Sequence, residues 1–143
     1  NLRINSIGFQ NLKCKGTCSI SEDKTVTWTL VNPQTMTIPI DKTIPNDINF
    51  GGPIGDTYLV IPQEFTDGLA LYIDYNWDNN DGNDQNDSYA PSILLSAIHT
   101  AGSWQAGYIY TYAMNLGNSA EEIRFDVTVE PWVLTHNYEF ELE

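Results

Sequence analysis

Basic residues are scarce: six Lys and Arg stand against 19 Asp and Glu, a formal net charge of −13 over 143 residues. A surface of that sign repels a phosphate backbone and an anionic membrane, which argues against nucleic acid and lipid headgroups as partners. No apolar run approaches the ~18 residues of a membrane-spanning helix. No basic stretch followed by an apolar one marks a secretory signal either. The chain opens mid-pattern, at NLRINSIGF, as a mature product or a trimmed chain does. The missing signal therefore does not point to the cytoplasm.

Helical periodicity is also lacking. The nearest approach, SILLSAIHT (Ser92 to Thr100), is too short and is followed by Gly102. Cysteine is limited to Cys14 and Cys18, in LKCKGTCSI. Along one continuous strand these two would lie about 13 Å apart on the same face, too far to bond. If Lys15, Gly16 and Thr17 form a hairpin loop, the two become cross-strand neighbours and can form a disulfide. Both the disulfide and the pair of free thiols stay open. A zinc site is poorly supported, because only His99 and His136 are available and neither is near in sequence.

Period-two alternation fills the chain instead. Leu69, Leu71, Ile73 and Tyr75 share one face, against Ala70, Tyr72, Asp74 and Asn76 on the other. Tyr108, Tyr110, Tyr112, Met114 and Leu116 repeat the pattern, as do Ile123, Phe125, Val127 and Val129 against Arg124, Asp126, Thr128 and Glu130. Val26, Trp28 and Leu30, then Met36, Ile38 and Ile40, predict two more strands, with Trp28 and the tyrosines of 108–112 as core residues. The final run places His136, Tyr138, Phe140 and Leu142 on one face and Asn137, Glu139 and Glu141 on the other. Turn residues separate the runs, in CKGTC, NPQ, IPND, GGPIGD, TDG, NLGNSAEE and EPW. Short strands at this spacing predict an all-β, antiparallel β-sandwich of about seven to nine strands, in one domain spanning 1–143.

Catalytic signals are weak, and the chain reads as a non-enzyme. Ser88, Ser92, Ser96 and Ser103 lie near His99 in sequence, but none sits in a Gly-x-Ser-x-Gly elbow. No acid is embedded in an apolar run that would raise its pKa for glycoside chemistry. The stretch DYNWDNNDGNDQNDSYAP is the one biased segment, with five Asp and five Asn and no basic residue. Placing Gly82 at the sixth position of an EF-hand loop puts Trp77 first and Ser88 twelfth, so that pattern fails at both ends. Asp78, Asp81, Asp84 and Asp87 still recur every third residue, and they would gather carboxylate oxygens around Ca²⁺ if the loop coiled. Trp77 would then supply a sugar-stacking platform, and the segment 74–88 would serve a Ca²⁺-dependent carbohydrate-binding module. The plainer reading is a long polar hairpin loop that needs no cofactor. Asn86, Asp87 and Ser88 also form a glycosylation sequon.

The ordered signals of the second half carry a resemblance. Pro62-Gln63 ends one strand; Leu71, Ile73 and Tyr75 follow; Trp104, Gly107, Tyr108 and Tyr110 approximate Trp-x-x-Gly-x-x-Tyr-x-Tyr with a small register difference. Ile123, Phe125, Val127, Val129 and Trp132 close the unit, and INSIGFQNLKCKGTCSI before Trp28 resembles its opening. In this order, over roughly residues 4 to 132, the chain resembles the fimbrillin family, the Mfa-like pilus and surface proteins of Bacteroidales. The resemblance implies transthyretin-like β-sandwich domains, two per subunit, and export as a lipoprotein peripheral to the outer membrane. It also implies assembly into pili or surface adhesins by strand exchange with neighbouring subunits, or adhesion to a host or bacterial surface ligand. Two departures stand out: only one of the two domains is recognisable, and Cys14 follows Asn11, Leu12 and Lys13 instead of the small residues of a lipoprotein leader. The chain is then a fragment of a two-domain subunit or a shorter relative. The C-terminal run His136, Tyr138, Phe140 and Leu142 is the expected assembly strand.

Overall fold

A computed structural model describes residues 2–44, 52–77, 87–116 and 123–132. Seven strands and one short helix are found among them: β1 (Leu2–Ile20), β2 (Val26–Ile44), β3 (Ala70–Trp77), β4 (Asp87–Tyr89), β5 (Ser92–Leu94), α1 (Leu95–Ile98), β6 (Tyr108–Leu116) and β7 (Ile123–Pro131). All strand pairs are antiparallel. One sheet runs β2-β1-β3-β4, with β5 also pairing β3, and the second sheet is the β6-β7 hairpin. The result is an all-β sandwich, as the alternation predicts.

The core sits between these two sheets in two clusters. Leu12, Phe65, Leu69, Leu71, Leu95 and Trp104 make the first, closed by Phe9, Met36, Tyr110, Tyr112 and Phe125. Leu2, Ile4, Ile44, Ile73 and Tyr75 make the second, closed by Ile7, Trp77, Met114 and Ile123 among others. Burying each large apolar side chain contributes roughly 1.5–3 kcal/mol, so both clusters matter to stability. The predicted alternation of β3 holds: Leu69, Leu71, Ile73 and Tyr75 are all buried.

β1 is less regular, and the reason is physical. Against β3, Leu2 and Ile4 share the core face with Ile7 and Phe9, although Ile4 and Ile7 differ in parity. A bulge between Ile4 and Ser6 produces this flip, and an irregularity between Phe9 and Leu12 flips the parity back. At the second site Asn11 has φ 58°, a left-handed conformation that Asn tolerates, and its Nδ2 donates to the Gly68 carbonyl. From Leu12↔Gln34 to Ile20↔Val26 the β1-β2 register then runs without a slip.

Two expected turns are corrected. Lys15, Gly16 and Thr17 are not a hairpin loop but lie inside β1, and Asn32-Pro33-Gln34 lies inside β2. Pro33 and Pro39 are tolerated because β2 is an edge strand among the described residues, so a missing N–H costs no ladder bond on the open side. The actual turn is Ser21–Lys24, where the Thr25 N–H donates to Asp23 Oδ1 and Lys24 takes φ 64°. The weak helical signal becomes the four-residue α1, which buries Leu95.

Candidate functional site

Three residues lock the second sheet onto the first. Trp104 Nε1 donates to the Tyr112 hydroxyl at 2.7 Å, and Tyr112 Oη lies 2.6 Å from His99 Nε2. Indole can only donate, so the Tyr112 oxygen accepts from Trp104 while also bonding His99 Nε2. Phe65 packs on the His99 ring and meets Trp104 edge-on, and Phe9 meets Trp104 from the other side. Burial pushes the His99 pKa below its ordinary value and the Tyr112 pKa above its own. The contact fixes β6 against the segment that carries His99 and Trp104. No buried side-chain polar atom lacks a partner among the described residues.

A different arrangement marks the far half of the β1-β2 pair. β3 pairs with β1 only as far as Gln10. Beyond it, the Gln63 carboxamide takes the place of a strand: its Oε1 accepts from the Lys13 N–H and its Nε2 donates to the Lys13 carbonyl, both at 3.1 Å. The Gln63 carbonyl in turn accepts from the Trp104 N–H, tying the cap to the core. Lys13 Nζ reaches Asp67 at 3.0 Å, and that contact holds the Asp67 carboxyl below its usual range. The Pro-Gln pair of the sequence thus has a role that its pattern does not disclose.

Past Lys13, β1 and β2 continue as a two-stranded ribbon, Cys14–Ile20 against Val26–Asn32. Cross-strand partners share a face, and alternation from buried Leu12 puts Cys14, Gly16, Cys18 and Ile20 on the core-side face with Leu30, Trp28 and Val26. Gly16 is required there, because a Cβ would come within 2.7 Å of Leu30 Cδ2 and 2.4 Å of the Thr29 carbonyl. This face is uncovered among the described residues: Ile20 is 70%, Val26 53% and Trp28 39% exposed. Trp28, expected in the core, instead stands on the ribbon. The reverse face carries Lys15, Thr17 and Ser19 opposite Val31, Thr29 and Thr27.

The residues singled out by sequence are distributed as follows. Of the two readings left open for Cys14 and Cys18, the structure has the free thiols: both are exposed on one strand, and Cys18 lies opposite Trp28. Trp77 is half-buried against the second cluster, and its backbone pairs with both Leu2 and Asp87. Asp87 begins β4, which pairs antiparallel with β3. Asp78, Asp81 and Asp84 lie outside the described residues, as do His136, Tyr138, Phe140 and Leu142. Of the tyrosines in β6, Tyr110 and Tyr112 pack on the core and Tyr108 is exposed.

The polar core groups His99, Trp104 and Tyr112 join the parts of an antiparallel sandwich. The family model described as fimbrillin-like matches residues 1–132, and the chain belongs to the fimbrillin-like family. That family is structural, a class of pilus or surface subunits. No curated protein and no solved structure matches the chain. No described helix is long and apolar enough to cross a membrane.

Proposed function

We propose that the chain is one sandwich domain of a non-catalytic bacterial surface subunit, a pilus component or adhesin of the Bacteroidales type. Such a subunit is exported, held at the outer membrane by a lipid anchor, and associates with neighbouring subunits or a surface ligand by strand pairing. The observation that carries this reading is the ribbon, two strands whose apolar face and edges are uncovered among the described residues. The alternating run of His136, Tyr138, Phe140 and Leu142 is the pairing strand. Deleting residues 135–143 is expected to abolish self-association in sedimentation while leaving the sandwich folded. Unchanged association after the deletion overturns the role of the run.

A second reading, a Ca²⁺-dependent carbohydrate-binding module, rests on one observation: β4 pairs Asp87 with Trp77. It predicts a rise in melting temperature with millimolar Ca²⁺, lost in Asp81→Asn. No shift removes it.

A further inference from the structure

We propose that Cys14 and Cys18 form a self-complementary thiol site, at which two copies of the chain are joined by a symmetric pair of disulfides. Within one chain the two thiols cannot meet, because they lie on one continuous strand about 13 Å apart. The stretch Cys14-Lys15-Gly16-Thr17-Cys18 is centred on Gly16. A second copy laid antiparallel along it sets Cys14 opposite Cys18 of the second copy, and Cys18 opposite its Cys14. Gly16 then faces Gly16 on the two-fold axis. The site is independent of the pairing strand proposed above.

Hydrogen-bond direction selects this arrangement. In a strand the N–H and C=O of one residue point the same way, and the direction alternates along the chain. Gln63 shows that both groups of Lys13 point away from β2, and Pro33, opposite Lys13, has no N–H to give. The groups of Lys15 and Thr17 therefore also point to the outer edge, where no described strand meets them. Setting Lys15 opposite Thr17 of the second copy makes a hydrogen-bonded pair, and Cys14 opposite its Cys18 becomes the neighbouring non-hydrogen-bonded pair. The Cα atoms of such a pair are about 4.5 Å apart, within the span that a disulfide bridges. Centring the axis on Cys14 would set Lys13 against Lys15 of the second copy, at groups that Gln63 already holds. Centring it on Cys18 would leave both Cys14 thiols unused.

The surroundings suit a second copy of the same chain. The ribbon 14–32 carries Lys15 and Lys24 against Glu22 and Asp23, a neutral patch on a chain of net charge −13, so like-charged copies repel least there. Leu30 leans over Gly16, with its Cδ2 2.7 Å from where a Cβ would stand, so the paired glycines let Leu30 of both copies meet on the axis. Trp28, opposite Cys18, flanks each disulfide on the exposed apolar face. A contact this short buries far less than the roughly 1,000 Å² of a lasting interface, so it persists only once the bonds form. Each bond forms by exchange with an oxidant disulfide. The Cys14 thiolate attacks the oxidant and releases one thiol, and the Cys18 thiolate of the second copy then displaces the other from the mixed disulfide. Two cysteine thiols are oxidised, one disulfide is reduced to two thiols, and the cysteine protons leave on the released sulfurs.

Oxidised glutathione is the probe, added to the full chain and followed by intact mass and sedimentation without reductant. The wild-type chain is expected to become a dimer, lighter than two reduced chains by two hydrogens per bond. Cys14→Ser and Cys18→Ser should each stay monomeric and carry glutathione when oxidised alone. Mixed together, with one of them isotope-labelled, they should give a cross-linked dimer containing one of each. Unchanged melting of the reduced serine variants checks the fold. Thr17→Pro keeps both thiols and every β1-β2 bond but removes an outward N–H, and should lower the dimer yield about tenfold. A wild-type chain that stays monomeric, or that closes an internal disulfide, overturns the proposal. Homodimers of either serine variant as abundant as the mixed dimer also overturn it, marking random collision or another register. A yield indifferent to Thr17→Pro overturns it too, because the thiols then meet without strand pairing.

Discussion

The lower and upper halves of the β1-β2 pair are built from the same two strands and end in opposite environments. Below Leu12, β1 is flanked by β2 and β3 and covered by β6-β7, and its core face is buried. Above Lys13 the same ladder continues with one neighbour among the described residues, and none of them covers its apolar face. Gln63 marks the boundary, completing the last residue of the covered half with a side chain instead of a strand. Hydrophobic alternation therefore reports that a strand has two unlike faces. It does not report whether anything covers the apolar one.

The contrast can be broken most directly with two tryptophans. Trp104→Ala, which removes a buried ring between Phe9 and Phe65, is expected to cost about 3–5 kcal/mol in urea unfolding. Trp28→Ala on the ribbon should cost about 1 kcal/mol or less. Equal losses would show that the ribbon belongs to the core. Tyr112→Phe keeps the ring but strands Trp104 Nε1 and His99 Nε2 without their partner. It should cost about 1–3 kcal/mol, measured the same way.

A smaller effect concerns acid. The folded pKa of His99 lies below the ordinary value of 6.5, so the unfolded chain binds the proton more readily. The stabilising contribution is complete above about pH 6.5 and is lost as pH falls through the folded value. The melting temperature should therefore decline as pH falls below that point. A His99→Phe variant should lack this part of the decline while retaining the carboxylate part at lower pH, where Asp67 also titrates below its usual range. The last expectation is an absence of effect: Cys14 and Cys18 should both react with a thiol reagent in the native chain, and reductant should leave the melting temperature unchanged. A mass two protons short of the free thiols would restore the disulfide.

Much of the fold was legible before the structure, for stated reasons. β3, β6 and β7 are regular strands with one covered face, so their side-chain period survives in the sequence. β1 hides its alternation because two irregularities reverse the parity of its core residues. Gly16 and Pro33 read as turn residues, yet one is demanded by the close approach of Leu30 and the other is permitted by an edge. The site was less legible. His99, Trp104 and Tyr112 meet only because a loop, a short helix and β6 converge, and no spacing rule joins them. Gln63 was visible within its motif, but its bonds to Lys13 span 50 positions of chain.

The central claim is that β1 passes from a strand-flanked base to an edge where, among the described residues, the Gln63 side chain takes the place of a strand. An amide-resolved exchange profile along β1 of the full chain tests this most directly. The account predicts slow exchange over Leu2–Gln10 whatever is changed beyond it, and protection of Lys13 that disappears in Gln63→Ala. A profile from Leu2 to Ile20 that is uniform and indifferent to Gln63→Ala would contradict it.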